Sequence, residues 1–365
     1  MTARYDAAIV GARVAGSITA TLLGEAGLRV LLVDAARFPS DTISTHFFRG
    51  AGLVGALRRL GVLDEVLALG APPLTRQYDF GPDSAEPEVG GPQDPGDVGY
   101  ALSCRRVRLD RVLVERARRT AGVEVLEGTP VRDLVHDGAG RVVGLVLQRD
   151  GAPTRVAANL VVGADGRGSF VARAVEASVE RTEPASRAMY FRYLRDYAPP
   201  QQAADGPEFS IIGDEIAYAF PSDDDVTCLA VSINLAGFDA FRAHPEASYD
   251  ARIRAHPGFA KRYIAARPDS RVLGSGPKDA VIRTPVGPGW ALVGDAGLHQ
   301  DPWTGLGMDN AAKQATFLAE AAVSWLCDGT AEADALATYR ARRDESAMAG
   351  FDFTASAGRD LAALA

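Results

Sequence analysis

Residues 5–16 read YDAAIVGARVAG, residues 17–27 SITATLLGEAG and residues 28–36 LRVLLVDAA. A short apolar run, a turn, a helix-period segment closing at Gly27 and a second apolar run together spell a βαβ unit. In such a unit the first glycine permits the tight bend from strand to helix and the second lets backbone approach a pyrophosphate. The third lets the helix pack closely on the strand. The turn Gly11, Arg13, Ala15, Gly16 keeps the outer glycines and puts arginine at the middle position, so the fingerprint is degenerate. Asp34 closes the second strand, where a carboxylate accepts hydrogen bonds from an adenosine ribose and repels a 2'-phosphate. The segment therefore predicts a dinucleotide site suited to FAD or NAD. Arg13 is expected to pair with the pyrophosphate by charge; its plainer fate is to point to solvent.

Working outward, 365 residues with 47% hydrophobic content allow a large core, and the length suits two interleaved domains. A net charge of -8 argues against nucleic acid and anionic membranes as partners and leaves small molecules. Cys104, Cys228 and Cys327 have neither metal-ligand spacing nor the even count of a disulfide framework, so no metal site and a reducing cytoplasm are expected. A strand-like run from Tyr5 and the lack of any long apolar stretch predict no export signal and no membrane span. The oligomeric state is left open.

Helical spacing covers 46–69, followed by a Pro, Gly and Asp-rich excursion from Ala71 to Asp97. Helix returns near Val107–Thr120, then short strands turn across Asp137–Gly140, and NLVVGADG reads as a buried strand. From about Ala188 to Asn234 aromatic and β-branched residues predict a sheet.

Two later segments, NLVVGADGRGSFVAR (159–173) and GWALVGDAGLHQDPWTGLGMDNA (289–311), resemble the class A flavoprotein monooxygenases, of the p-hydroxybenzoate hydroxylase type, and their relatives the prenyl reductases and flavin halogenases. With GARVAG they span the chain in the family's order. The resemblance implies FAD as cofactor and NAD(P)H as a transient co-substrate. It places Asp165 by the pyrophosphate and Gly294–Asp295 on the ribityl chain. Arg106, which begins a helix, is implied to reach the phosphates, whereas Arg105 is as readily a solvated charge. Val131 matches a position whose backbone meets adenine. Gly305, Leu306, Gly307 and Met308 lead into a helix whose unpaired N–H groups carry about half a positive charge and suit the flavin C2 carbonyl and N1. Without the upstream motifs this would read as a loop before a buried helix.

The expected fold is α/β: a Rossmann-like FAD-binding domain from 1–70, 100–180 and 275–330, an inserted, mostly antiparallel substrate sheet from 71–99 and 181–274, and C-terminal helices over 331–365. The run RFPSDTISTHFF (37–48) resembles the segment that passes beside the isoalloxazine in prenyl-reductase-like members, which directs attention to Ser44, Thr45 and His46. A histidine there suits proton donation near neutrality; the alternative is a residue held by backbone at a helix start. Tyr190, Arg192, Tyr218 and Phe220 alternate on expected strands and are read as one sheet face over the flavin, with core packing as the commoner role. Trp303 either lines the pocket or packs its own loop.

The resemblance implies monooxygenation of an aromatic or polyketide-like metabolite through a flavin C4a-hydroperoxide. Alternatives are reduction of an isoprenoid or other alkene, which the loop of Asp301, Pro302 and Gly307 also fits, a non-redox cyclase, and a plain NAD dehydrogenase. The halogenase Trp-x-Trp-x-Ile-Pro signature is absent.

Overall fold

The opening run forms β1 (Arg4–Val10) and α1 (Val14–Glu25), and LRVLLV closes the unit as β2 (Val30–Val33). The computed structural model describes residues 3–44, 46–149 and 151–364. Ala7, Ala8 and Ile9 are wholly buried because a parallel strand is covered on both faces. Strand β3 (Ala152–Gly163) runs parallel to β1 on the side opposite β2, pairing Val10 with Gly163. Trp290–Leu292 lies parallel beside β3, and Val123–Leu126 parallel beside β2. The strand order reverses between β1 and β3, and a sheet of this kind takes its ligand outside the carboxyl ends at such a switch point.

Two glycines decide how closely the segments meet there. Gly11 has φ +102°, and a Cβ on it would stand 2.4 Å from the Ala164 carbonyl oxygen. A Cβ on Gly16 would lie 1.8 Å from the carbonyl oxygen of Gly11. Helices α2 (Arg106–Arg118) and α3 (Gly307–Leu326) pack beside α1, and α4 (Glu332–Ala357) packs on α3. The Tyr339 hydroxyl ties α4 to the sheet by donating to the Leu292 carbonyl at 2.6 Å.

The second sheet contains β4 (Arg187–Arg195), β5 (Glu215–Pro221), β6 (Thr227–Asn234) and the edge strand β7 (Leu273–Ser275). Its central pairs are antiparallel, and Gln77–Phe80 joins it parallel to Glu208–Ile212. Register puts Phe191, Ala230 and Tyr218 in one row and Tyr190, Val231 and Ala217 in the next. Neighbouring rows face opposite sides. The expectation of one face shared by Tyr190, Arg192, Tyr218 and Phe220 is therefore corrected. Tyr190 stacks on Phe241 at 4.1 Å, and Arg192 pairs with Glu246 and lies over Tyr249, all on the outer helical layer. Met189 and Phe191, one residue away, face inward with Tyr218 and Phe220.

Because Gly16 has no room for a methyl group, Gly16→Ala is expected to lower the unfolding free energy by about 1–3 kcal/mol. Denaturant unfolding of the two proteins checks this; an unchanged midpoint would show that α1 moves away from the turn at no cost.

Candidate functional site

A cavity of about 710 Å³ runs from the start of α1, past the ends of β1, β2 and β3, to the start of α3 and the inner face of the second sheet. Each end of it is built by local sequence. Asp34 bridges the βαβ turn, its carboxylate accepting the N–H of Ala12 at 2.8 Å and of Ala36 at 2.7 Å. Asp165 accepts from the Ser169 hydroxyl and from the Phe170 N–H, which fixes the Asp-Gly turn after β3. Burial raises its pKa, against the pull of those hydrogen bonds. Gly294, at φ +62°, would bring a Cβ within 3.2 Å of the Ala15 Cβ, so the Gly-Asp turn sits directly on α1. Asp295 meets His299 Nδ1 at 3.0 Å. Gly305 turns at φ +67°, and a Cβ on Gly307 would meet nothing within 4 Å, so the backbone entering α3 is open to the cavity.

The loop before α3 is clamped by residues that sequence reading did not single out. Asp309, in the first turn of α3, accepts the N–H groups of Arg49 and Leu53 at 3.0 Å each and the Arg49 guanidinium at 3.2 Å. That guanidinium also donates to the carbonyls of Thr304 and Gly305. Burial raises the Asp309 pKa while Arg49 opposes the rise. The only sequence signal was an arginine before an irregular Gly-Ala-Gly and an aspartate inside a helix start.

The chain matches the family described as "FAD binding domain" over residues 4–237. It belongs to that family, and it is an FAD-dependent oxidoreductase. Digeranylgeranylglycerophospholipid reductase 2 of Methanococcoides burtonii is 29% identical over 348 residues, covering 93% of this chain and 80% of that protein. Menaquinone reductase of Mycolicibacterium smegmatis is 28% identical over 339 residues, covering 88% and 76%. Among solved structures, Pseudomonas aeruginosa PqsL in complex with 2-aminobenzoylacetate superposes with a TM-score of 0.80 at 25% identity, covering 98% of this chain and 97% of PqsL. PqsL is described as a probable FAD-dependent monooxygenase. The myxobacterial chondrochloren halogenase CndH shares the fold, with a TM-score of 0.84 at 24% identity over 96% and 82% of the two chains.

Of the residues assigned to the cofactor from sequence, Gly11, Arg13, Ala15, Asp34, Arg106, Val131, Asp165, Gly294, Asp295, Gly305, Gly307 and Met308 all line this FAD-domain cavity. Gly16 and Leu306 stand behind it: Gly16 packs against Gly11, and Leu306 precedes the first turn of α3. Arg13 does not point to solvent. Its guanidinium pairs with the buried Asp110 and donates to the carbonyls of Ser40 and Asp41, at 3.2 and 3.0 Å. Arg106 pairs with the other oxygen of Asp110 at 2.9 Å. Two cations on one carboxylate leave a net positive charge beside the start of α1. Arg105 is bound instead to Asp223, at 2.8 Å.

The expected reacting face differs more. Ser44 lines the cavity, and Thr45 lies outside the described residues. His46 is wholly buried behind the wall, at φ +69°. Its Nδ1 accepts the Arg106 N–H at 3.3 Å, which places the ring proton on Nε2 facing the Tyr193 hydroxyl at 2.5 Å. Burial first, and the Arg106 charge second, push its pKa down to about 3. His46 is thus a neutral residue holding a helix start and not a proton donor near neutrality. Tyr218 donates to the Trp303 carbonyl at 2.7 Å, and Phe220 stacks on Phe47 at 5.0 Å. Trp303 donates to the Thr354 carbonyl at 2.9 Å and packs its own loop against α4. The cavity wall is instead Ile43, Phe47, Met189, Phe191, Ser275, Lys278 and Gln300 to Pro302.

Because His46 is neutral when folded and titrates near 6.5 when unfolded, its contribution to stability is complete above about pH 6.5 and is lost as the pH falls toward 3. The unfolding free energy of the wild type should therefore fall between pH 6.5 and 4 more steeply than that of His46→Gln, by about 1.4 kcal/mol per pH unit; parallel curves would contradict a neutral His46. Arg49→Met leaves the Asp309 carboxylate buried without its ion pair, and is expected to cost about 3–5 kcal/mol and to weaken FAD binding. Thermal unfolding and fluorescence titration with FAD read the two effects.

Proposed function

We propose that this protein is an FAD-dependent monooxygenase that uses NAD(P)H and dioxygen to oxygenate a small organic metabolite, aromatic or polyketide-like. The observation that carries the reading is the cavity itself. It joins the nucleotide end to an apolar wall of Phe47, Met189 and Phe191, so that a cofactor and the ring of an organic substrate would share one continuous space.

The residues present fit FAD. Asp34 would hold the adenosine ribose, and the start of α1 with the Arg13–Asp110–Arg106 group would face the pyrophosphate, since unpaired helix N–H groups and a net positive charge both favour anions. Asp295, its orientation set by His299, would accept from ribityl hydroxyls. The start of α3, held by Arg49 and Asp309, would stabilise negative charge at the flavin N1. Bound FAD supplies hydride acceptance and activation of dioxygen. The chain positions the substrate and keeps water out. One dinucleotide unit is present, so NAD(P)H would visit the cavity transiently. Three free thiols, two of them buried, suit a reducing cytoplasm, and among the described residues no helix is long and apolar enough to cross a membrane.

A second reading, reduction of an isoprenoid alkene, is favoured by the reductases that match about nine-tenths of the chain. Mass spectrometry of products from aerobic turnover with NAD(P)H separates the two. A product heavier by one oxygen atom is expected; a product heavier by two hydrogen atoms establishes the reductase. Protein that stays colourless after incubation with FAD sinks both.

A further inference from the structure

The charged side chains that line the cavity are nearly all committed. Arg13 and Arg106 hold Asp110, Asp34 and Asp165 accept backbone N–H groups, Asp295 meets His299, and Asp301 accepts the Trp303 N–H through Oδ1 while its buried Oδ2 has no hydrogen-bond partner among the described residues. Of the cations in the lining, two remain, Arg167 and Lys278. Neither side chain has an ion-pair or hydrogen-bond partner among the described residues. Elsewhere even deeply placed guanidinium groups find carboxylates, as Arg187 does with Asp214 and Arg262 with Glu208.

Arg167 is exposed and follows the Asp-Gly turn at the nucleotide end. Lys278 is half-buried and enters the lining from the segment that leaves the second sheet. Strand β7 ends at Ser275, paired with Met189 of β4, and the chain then crosses through Gly276 to Asp279 from the second sheet to the strand Ala280–Arg283. Lys278 sits on that crossing, three residues beyond Ser275, and lines the same cavity as Met189 and Phe191. The neighbouring carboxylate, Asp279, is exposed and makes no ion pair with it among the described residues, accepting instead the Ala185 N–H at 2.9 Å. A half-buried ammonium at an apolar wall gains most from an anion brought by a ligand, since charges attract more strongly where water is partly excluded.

We propose that Lys278 is a specificity residue that anchors the anionic group, carboxylate or phosphate, of a substrate whose apolar ring lies against Phe47, Met189 and Phe191. This rests on the reading above that the far end of the cavity takes a small organic substrate. It adds that the substrate is an organic acid.

The FAD-loaded full chain tests it. Aryl carboxylates such as benzoate and 2-naphthoate, each paired with its carboxamide, and phenyl phosphate are titrated while the flavin absorbance is followed. The same titrations are run on Lys278→Met and Lys278→Arg, with flavin content confirming that each variant is folded. The acids are expected to bind the wild type at least about tenfold tighter than the amides, the scale of one charge-assisted hydrogen bond. Lys278→Met should lose that preference without weakening amide binding, and Lys278→Arg should keep most of it. A preference shown by phenyl phosphate alone identifies the anion as phosphate, and one shown by the carboxylates alone as carboxylate. Equal binding of acids and amides, no binding of any acid, or an unchanged preference in Lys278→Met overturns the proposal. So does a Lys278→Met variant whose KM rises for NADPH but not for NADH, since the anion would then be the reductant's 2'-phosphate. Loss of flavin from the wild type would instead remove the FAD reading beneath it.

Discussion

Three backbone segments converge where Gly11, Gly16 and Gly294 lack side chains, and the rest of the molecule is arranged around that approach. A Cβ on Gly11 would press on the Ala164 carbonyl, one on Gly16 would press on Gly11, and one on Gly294 would crowd Ala15. The strand-to-helix turn, the Asp-Gly turn and the Gly-Asp turn can share one crevice only because these positions are bare. Once they do, the ends of β1, β2 and β3 and the start of α3 open into a single cavity. The second sheet then closes it by presenting the Met189 and Phe191 row.

Electrostatics hold this arrangement with buried pairs. Asp110 takes Arg13 and Arg106, and Asp309 takes Arg49. Burying a carboxylate is costly unless it is paired and hydrogen-bonded, and each of these is both. The same pairs explain why Arg13 can stand where a glycine is usual: its guanidinium is drawn sideways onto Asp110 and the 40–41 carbonyls, leaving the turn's backbone free to face the cavity. His46 belongs to the same economy of buried polar groups. Its neutral ring satisfies the first N–H of α2 and the hydroxyl of Tyr193, which suits a support better than an acid.

Much of the nucleotide half was legible in the sequence because its signals are local. A turn that needs a bare residue shows as glycine, a helix stop shows as Gly27 at φ +85°, and the hairpin at Asp137–Gly140 shows as a carboxylate capping its own turn. The substrate half was less legible. Alternation along Ala188–Asn234 announces strands, but with both faces buried, one by helices and one by the cavity, aromatics occupy both rows. Nothing in the spacing says whether Tyr190 or Phe191 looks inward. The pairing register across β4, β6 and β5 settles it, and it moves the wall by one residue from Tyr190 and Arg192 to Met189 and Phe191.

By itself, then, the sequence determined the βαβ opening, the order of the three turn motifs and the membership in a flavin-using family, since each depends on residues a few positions apart. Only the tertiary structure decided that Asp110 collects Arg13 and Arg106, that Arg49 reaches Asp309 across 260 residues of chain, and that Trp303 turns away toward Thr354. It also decided that Lys278, unremarked in the chain, lines the cavity with no ion-pair partner among the described residues. The physical reason is common to all of these. Ion pairing and burial are set by which distant segments share a volume, and a chain's local pattern constrains its elements far more tightly than it constrains their neighbours.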